Sequence, residues 1–502
     1  MPPIRRAVTA ALALVLAAAA PAVGSTSTTD TGPDAPPQQN SALGYDGYCL
    51  DGHGMTVVVD FQDLGAWKGH DGKTIVRCAP GPAEGKDFAG TGRDALREAG
   101  VDMTGTERWG LTMACRLDGR PAADETIPRQ GDPTYREACV DTPPANAYWS
   151  YWYADDGAAW TYSTVGLTSR SAIPGGFEGW SFSLNRSATT NPPPRSAAVR
   201  PLADRLSGST RYATAAEVAG KYVTGVDVVY VATGRGFPDA LAGSALAGRQ
   251  DVPVLLTAPD ELPAETVEAL QRLKPKRIVV LGGSTVVSDP VVTALKKYTS
   301  GTVTRLRGAN RYATAEQVSR QFPVSTTRVY VATGDNFPDA LAASARAGSQ
   351  GVPVLLTRKG ELPQETVTAL NRLQPTQIFV VGGSTVISDA VVTQLRQHAG
   401  TVTRLSGANR YGTAEQVSRT GFTPGVPVAY VATGANFPDA LAGSALAGRT
   451  RGPVLLTRQD TIPPETAREL GRLDPQTIIV LGGTTTVSDS VLNQLKQYVV
   501  RP

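Results

Sequence analysis

A five-residue run, Tyr-Val-Ala-Thr-Gly, stands at residues 230–234, 330–334 and 430–434, one hundred residues apart each time. Each copy carries the same neighbours in the same order. Phe-Pro-Asp-Ala-Leu-Ala starts at Phe237, Phe337 and Phe437, and Pro-Val-Leu-Leu-Thr at Pro253, Pro353 and Pro453. A Gly-Gly pair follows at Gly282, Gly382 and Gly482, then Ser-Asp at Ser288, Ser388 and Ser488. An Arg-Tyr pair opens each unit, at Arg211, Arg311 and Arg410. A unit of this length is domain-sized, whereas solenoid repeats run to roughly 20–50 residues. The last three-fifths of the chain is therefore read as three tandem domains.

Within a unit the periodicity alternates between strand and helix. In the second copy, residues 328–333 form an apolar strand, 339–347 a helix of almost wholly small residues, and 352–357 the next strand. Pro363 opens a helix, where its missing N–H costs nothing, and Val367, Leu370 and Leu373 give that helix one apolar face. Residues 378–381 make a third strand, Ser388 is placed to cap a helix over 389–397, and 401–405 is a strand leading to the next Arg-Tyr helix. Short apolar strands separated by helices need crossover connections, hence mainly parallel sheets covered on both faces. Three such folds in one chain can bury matching faces in a closed pseudo-threefold ring, with the symmetry logic of a cyclic trimer. The small-residue helices would allow close approach in such a ring, or would pack on their own sheets. The expected fold class is α/β: three tandem small α/β domains with mainly parallel sheets in a pseudo-threefold arrangement, preceded by a small disulfide-containing, β-rich α+β domain.

The boundaries follow composition. Residues 1–22 have a charged start with Arg5 and Arg6, an Ala/Leu/Val run and a small-residue cleavage pattern at Ala20-Pro21-Ala22, which reads as an export signal. That run is too short to span a bilayer, and no later segment approaches about eighteen uninterrupted apolar residues. The mature protein is expected to be secreted, without a transmembrane segment. Residues 23–44 are a Ser/Thr/Pro/Gln-rich flexible spacer, 45–184 the disulfide-containing aromatic-rich domain, and 185–201 a stiff linker around Pro192-Pro193-Pro194. The repeats occupy 202–302, 303–401 and 402–502.

All four cysteines, Cys49, Cys78, Cys115 and Cys139, fall in the first domain. An even count in an exported segment points to two disulfides, with three pairings open. No Cys-x-x-Cys spacing supports a zinc site. Charge is unevenly divided: residues 200–502 hold 32 Lys+Arg against 23 Asp+Glu, or +9, and residues 1–199 hold 16 against 22, or −6. A basic exported domain attracts polyanions through its summed potential, although the same charge can simply solubilise a surface. No aromatic-interleaved basic groove or recognised reading motif points to nucleic acid.

Taken in order, Arg-Tyr-x-Thr-Ala, Val-Ala-Thr-Gly, Phe-Pro-Asp-Ala-Leu, Pro-Val-Leu-Leu-Thr and Gly-Gly-x-x-x-(Val/Ile)-Ser closely resemble the cell wall binding repeat 2 family over residues 202–502. The resemblance implies three α/β modules in a threefold arrangement, holding an exported surface protein noncovalently to an anionic cell-wall polysaccharide or teichoic-type polymer. An intrachain pseudotrimer of this kind is expected to be monomeric. The family's anchoring motif, usually Pro-Ile-Leu-Leu, corresponds here to Pro253, Val254, Leu255 and Leu256, to Pro353, Val354, Leu355 and Leu356, and to Pro453, Val454, Leu455 and Leu456.

Read from the residues alone, those segments are sheet core, because apolar side chains do not bind phosphate or carboxylate. Arg211, Arg311 and Arg410 are the better physical candidates for anion contact, each standing before a small helix after a glycine turn. The competing reading pairs them with repeated carboxylates such as Asp239, Asp339 and Asp439, which are also suited to helix starts. The glycines after Thr233, Thr333 and Thr433 lack a dinucleotide fingerprint, and the Gly-Gly turns lack the lysine of a phosphate loop. The Leu-Pro-x-Glu-Thr string at Leu362 is internal and repeated, as helix initiation requires.

The first domain reads as a strand at 55–61, a helix at 89–99, and an aromatic strand pair over 147–166 turned at Asp155-Asp156-Gly157. Its aromatics either stack on a ligand or build a core. The opening strand and the Tyr-Trp-Ser-Tyr-Trp segment resemble the small domains similar to the C-terminal part of transcobalamin, which makes a corrinoid or other bulky ligand a candidate; no other cofactor and no metal is expected. His53 and His70 lie near Asp51, Asp60 and Asp71 in sequence, without a recognised triad or metal spacing. No catalytic residue is assigned and the chain is read as a non-enzyme: a wall-anchored protein displaying a ligand-binding or interaction domain. The alternative is a wall hydrolase, an amidase or peptidase, whose repeats target a catalytic first domain.

Overall fold

The computed structural model describes residues 44–50, 52–82 and 86–499. The export signal expected over 1–22 and the spacer expected over 23–44 lie outside these residues, save residue 44.

The first domain contains β1 (Tyr45–Asp46), β2 (Met55–Asp60), β3 (Ile75–Ala79), α1 (Gly92–Glu98), β4 (Met103–Thr106), β5 (Gly110–Leu117), β6 (Ala147–Ala154), β7 (Thr161–Tyr162) and β8 (Phe177–Leu184). Six of these strands make one sheet in the order β1-β3-β2-β8-β6-β7, and β4 and β5 pair apart from it. Only β2 and β8 run parallel; the other neighbours are antiparallel. One face buries Val57, Val59, Tyr151 and Trp180 against Leu96 of α1, a helix started by a capping box of Thr91 and Asp94. The opposite face buries Val58, Ala154 and Phe177. The disulfides join Cys49 to Cys78 and Cys115 to Cys139.

The segment 185–201, expected as a stiff linker, is a strap on that second face. Arg195 donates to the fully buried Asp60, the indole N–H of Trp160 donates to the Ser196 carbonyl at 2.8 Å, and Ala198 joins the buried cluster. Prolines lack the N–H a sheet edge needs, so this run covers the face of the sheet instead of extending it.

The repeats begin with β9 (Ala203–Leu206), α2 (Arg211–Ala219), β10 (Val229–Thr233), α3 (Pro238–Gln250), β11 (Val254–Thr257), α4 (Ala264–Leu273), β12 (Ile278–Leu281) and α5 (Asp289–Leu295). The second unit follows as β13 (Val303–Leu306), α6 (Arg311–Ser319), β14 (Arg328–Thr333), α7 (Pro338–Gln350), β15 (Val354–Thr357), α8 (Gln364–Leu373), β16 (Gln377–Val381) and α9 (Asp389–Leu395). The third is β17 (Thr401–Leu405), α10 (Arg410–Arg419), β18 (Val428–Thr433), α11 (Pro438–Arg449), β19 (Val454–Thr457), α12 (Pro464–Leu473), β20 (Thr477–Leu481) and α13 (Asp489–Leu495).

Each unit builds a four-stranded, all-parallel sheet, but with a strand borrowed from the unit that follows. The orders are β11-β10-β12-β13 and β15-β14-β16-β17, and the third sheet is β19-β18-β20-β9. The strand that opens the first repeat therefore completes the sheet of the last, with Ala203 opposite Ile478 and Leu206 opposite Leu481. Sequence cuts at 302/303 and 401/402 fall just before a strand that belongs to the preceding sheet. A short glycine turn separates each such strand from its Arg-Tyr helix, which lets the strand serve one sheet and the helix the next.

The three small-residue helices α3, α7 and α11 pack on one another at the centre. Ser244 shares its O–H between the carbonyls of Ala240, at 2.8 Å, and Leu441, at 2.9 Å. Ser344 reaches Leu241 and Ser444 reaches Leu341 in the same way, at 3.0 and 3.3 Å. At one end a Cβ on Gly248 would lie 3.1 Å from the Gly448 Cα and 3.4 Å from the Gly348 Cα. At the other end the rings of Phe237, Phe337 and Phe437 meet with centroids 5.6–6.0 Å apart. Small side chains are what let three helices come this close. The closed pseudo-threefold ring is thus present in this chain.

The first domain docks on the ring. Tyr45, Cys49, Leu50 and Cys78 share a buried cluster with it, Lys221 donates to the Asp46 carbonyl at 2.7 Å, and the Arg449 guanidinium lies over the rings of Tyr45 and Tyr222. Among the described residues, no helix is long and apolar enough to cross a membrane.

Candidate functional site

In an open parallel sheet, ligands bind outside the carboxyl ends of the strands, where the strand order reverses. Here the chain leaves β10 for β11 on one side and β12 on the other, so the reversal lies between β10 and β12, with matching places in the other two units. The loops that meet there are those the repeats share: Gly234 to Phe237 after β10, and Gly282-Gly283 after β12.

The Arg-Tyr helix of each unit covers the first loop. Arg211 donates to the Gly234 carbonyl, Arg311 to that of Gly334, and Arg410 to that of Gly434. A Cβ on Gly234 would sit 2.8 Å from the Tyr212 ring and 2.9 Å from the Arg211 side chain, with the same contacts in the other units. Any other residue would push the arginine off the loop, which accounts for the glycine without a phosphate. The helix starts themselves are capped by Thr210, Asn310 and Asn409.

The carboxylate facing each arginine comes from the neighbouring unit. Asp239 meets Arg311 and Thr314, Asp339 meets Arg410 and Thr413, and Asp439 meets Arg211 and Thr214, closing the cycle. Burial pushes each carboxyl above its ordinary range, while the threonine hydrogen bond and the arginine charge pull it back. The aspartates do lie in the first turn of their helices, yet no side chain caps those helices. Gly282 is required beside Asp239: its φ is +99°, and a Cβ there would lie 2.5 Å from a carboxylate oxygen.

A second repeated arginine, not singled out from the sequence, secures the Gly-Gly turn. Arg305 bridges the Gly282 carbonyl and Asp289, both at 2.9 Å; Arg404 bridges Gly382 and Asp389; Arg205 bridges Gly482 and Asp489. The signal was there as Arg-Leu at 205, 305 and 404, but its partners lie across a unit boundary.

The Pro-Val-Leu-Leu segments stand elsewhere. Pro253, Pro353 and Pro453 are buried, and Val254, Leu255, Leu256 and their equivalents are at most 2 % exposed. As the outer strands β11, β15 and β19, they are covered by helices and offer no side chain to a polymer. In this structure they form core strands that set the arginine edge in place.

In the first domain the aromatics of β6 are spent on the core. Tyr151 stacks on Trp180 at 5.0 Å, Trp149 meets Phe61 and Phe182 edge-on, and the Tyr151 hydroxyl donates to the fully buried Glu178, which also pairs with Arg170. His53 meets Asp87 and His70 meets Asp118, in place of the nearby aspartates considered from sequence; Asp60 belongs to Arg195, and Asp51 lies outside the described residues. Among the described residues, no cluster of His, Cys, Asp and Glu could hold a metal ion.

The family described as Cell wall binding domain 2 (CWB2) matches residues 205–292, 305–392 and 404–492, together just over half of the chain. An N-acetylmuramoyl-L-alanine amidase, LytC, of Bacillus subtilis (strain 168) is 29% identical over 296 residues, 59% of this chain and 58% of the amidase. An amidase enhancer of the same organism is 31% identical over 295 residues, 59% of this chain and 40% of that protein. The chain thus spans about half the length of these relatives, over a stretch the length of the three repeats together. Cwp6 and Cwp8 from Clostridium difficile share the fold, with TM-scores of 0.56 and 0.55 at 21% and 22% identity, over 72% of this chain and 64% and 61% of theirs.

Proposed function

This chain belongs to the cell wall binding domain 2 family, and from that premise we propose that its ring anchors it noncovalently to an anionic polymer of the cell wall while the first domain is displayed as a ligand-binding or interaction module. The observation that carries the reading is the placement of Arg211, Arg311 and Arg410 at the carboxyl edge of the three sheets, on a segment whose net charge is +9. Each guanidinium is held by one backbone carbonyl, which fixes its position and leaves further donors for phosphate or carboxylate oxygens. Three such edges on one rigid ring face a repeating polymer together, so that modest contacts add through effective concentration.

The reading is tested by sedimenting the protein with purified walls, intact or stripped of anionic polymer, over a salt series. Retention on intact walls that falls as salt rises, with little retention on stripped walls, is expected, because exposed charge contacts are screened over ~10 Å at 0.1 M. Equal retention on both wall preparations, or binding indifferent to molar salt, would overturn it.

A further inference from the structure

The three units are alike in fold and unlike at the arginine edge. The residue just after Pro-Val-Leu-Leu-Thr is Arg358 in the second unit and Arg458 in the third, but Ala258 in the first. The Arg358 guanidinium lies 5.0 Å from the ring centre of Tyr312, and that of Arg458 lies 5.4 Å from Tyr411. These tyrosines are the partners of Arg311 and Arg410 in the Arg-Tyr pairs. In two units, therefore, an aromatic ring is flanked by two guanidinium groups, one fixed on a backbone carbonyl and one held over the ring face. An aromatic face holds a cation in place without neutralising it, although Asp239 and Asp339 face Arg311 and Arg410 and Glu361 pairs with Arg358.

The acidic residues sharpen the contrast. The same loop of the first unit reads Ala258-Pro259-Asp260-Glu261, with two carboxylates and no cation. On the neighbouring loop the first unit adds a cation, Arg235, where the second has Asp335 facing Tyr312 and the third has Ala435. In the second unit Lys359 accompanies Arg358, which pairs with Glu361 at 2.8 Å. In the third, Thr461 stands where the other two have glutamate, which leaves Asp460 in the loop and Glu465 as the carboxylates near Arg458.

Resting on the anchoring reading above, we infer that the ring grips its polymer unequally: the edges of the second and third units, each with a paired arginine about one tyrosine, make the anionic contacts, and the first unit chiefly closes the ring. The joint with the first domain is shared by the first and third units, since Lys221 donates to the Asp46 carbonyl and Arg449 lies over Tyr45.

The experiment compares the full chain with three variants on intact and polymer-stripped walls at about 0.15 M salt. Arg358→Ala/Arg458→Ala removes the second cation from both edges. Lys296→Ala/Lys297→Ala removes the same charge from an exposed turn at the opposite, amino edge of the first sheet, where Thr299 bonds Pro275. Ala258→Arg gives the first unit the missing cation. Two exposed charge contacts are together worth roughly tenfold in affinity. The arginine pair variant is expected to bind intact walls about tenfold more weakly, the lysine variant within about twofold of the parent, and Ala258→Arg a few-fold more tightly. Circular dichroism melts checked against the parent separate lost contacts from lost structure. If the arginine and lysine variants fall alike, only net charge matters and the inference fails; if neither falls, it fails as well. If the parent itself does not distinguish intact from stripped walls, the anchoring reading fails with it.

Discussion

In the ring, helices built of Ala, Gly, Ser and Leu approach until Gly248, Gly348 and Gly448 nearly touch, and serines tie each helix to its neighbour's backbone. The first domain has no such repetition; two disulfides, a stacked aromatic core and buried ion pairs at Asp60 and Glu178 hold it instead. A ring of repeats can draw on apolar burial across three matching interfaces. A domain of about 140 residues standing alone has less surface to bury and is reinforced by covalent and ionic links. The difference also separates the roles: the ring repeats one charged edge, while the first domain packs Trp149, Tyr151, Trp180 and Phe182 in its interior.

The largest effect expected from breaking the comparison comes from reduction. Each bridge is worth about 2–4 kcal/mol, and both lie in the first domain. All six tryptophans lie there too, at positions 67, 109, 149, 152, 160 and 180, so tryptophan fluorescence reports on this domain alone. The ring holds twelve of the thirteen α-helices among the described residues, so the far-ultraviolet helical signal reports chiefly on it. With reductant, the fluorescence transition is expected at a lower denaturant concentration and the helical transition unmoved. A helical transition that falls equally would show that the first domain holds the ring together, contrary to the comparison.

Much of this architecture was legible because it is local. Strand β14 and strand β17 have the bounds read from apolar runs, and the repeat period announced three units. The pairing of the cysteines, the closing of the third sheet by β9, and the arginines at 205, 305 and 404 were not legible, since each depends on residues brought together from distant parts of the chain. Repetition of the strand read at 401–405 places a strand ahead of each Arg-Tyr helix, but not in which sheet it pairs. The packing of 185–201 as a strap was not legible for a related reason: proline-rich sequence specifies an extended backbone, and only the apolar face of the adjacent sheet decides that it is packed.

A smaller effect is expected from pH in the first domain, where the tryptophans report it. Burial pushes the carboxyl of Glu178 up to about 7, against the pull of Tyr151 and Arg170. Its ordinary value is 4.5. Between these two values the folded domain holds more proton than the unfolded chain, so stability falls as pH rises through that window and the loss is complete above it. At about 1.4 kcal/mol per pK unit, the change amounts to at most a few kcal/mol. The carboxyls of Asp60 and Asp94 are held below their ordinary range and act in more acid solution. The fluorescence midpoint is expected to fall from pH 5 to pH 8, and Glu178→Gln to flatten the dependence. A midpoint that rises over this range, or a dependence that survives the substitution, would contradict the assignment.

The smallest effect tests the ring by a variation the chain already contains. In the first and third units a helix glycine faces a strand leucine: a Cβ on Gly243 would lie 2.1 Å from the Leu281 side chain, and one on Gly443 would lie 2.2 Å from Leu481. In the second unit both members change together, to Ala343 and Val381. The added methyl on the helix is matched by the methylene lost from the strand, as expected where an interior is close-packed. Gly243→Ala alone gains up to about 1 kcal/mol of helix propensity but crowds a fully buried leucine, at about 1–3 kcal/mol, for a net loss of about 1 kcal/mol. Leu281→Val alone leaves a small void and loses a similar amount, about 1 kcal/mol. Together they recreate the packing of the second unit, so the double variant is expected to be nearly as stable as the parent, with a coupling energy of about 1–2 kcal/mol in a double-mutant cycle. Urea unfolding followed by the helical signal measures all four corners. Additive losses, with coupling below about 0.5 kcal/mol, would mean that the helices of the ring tolerate slack, and that small residues there set close approach without specifying it.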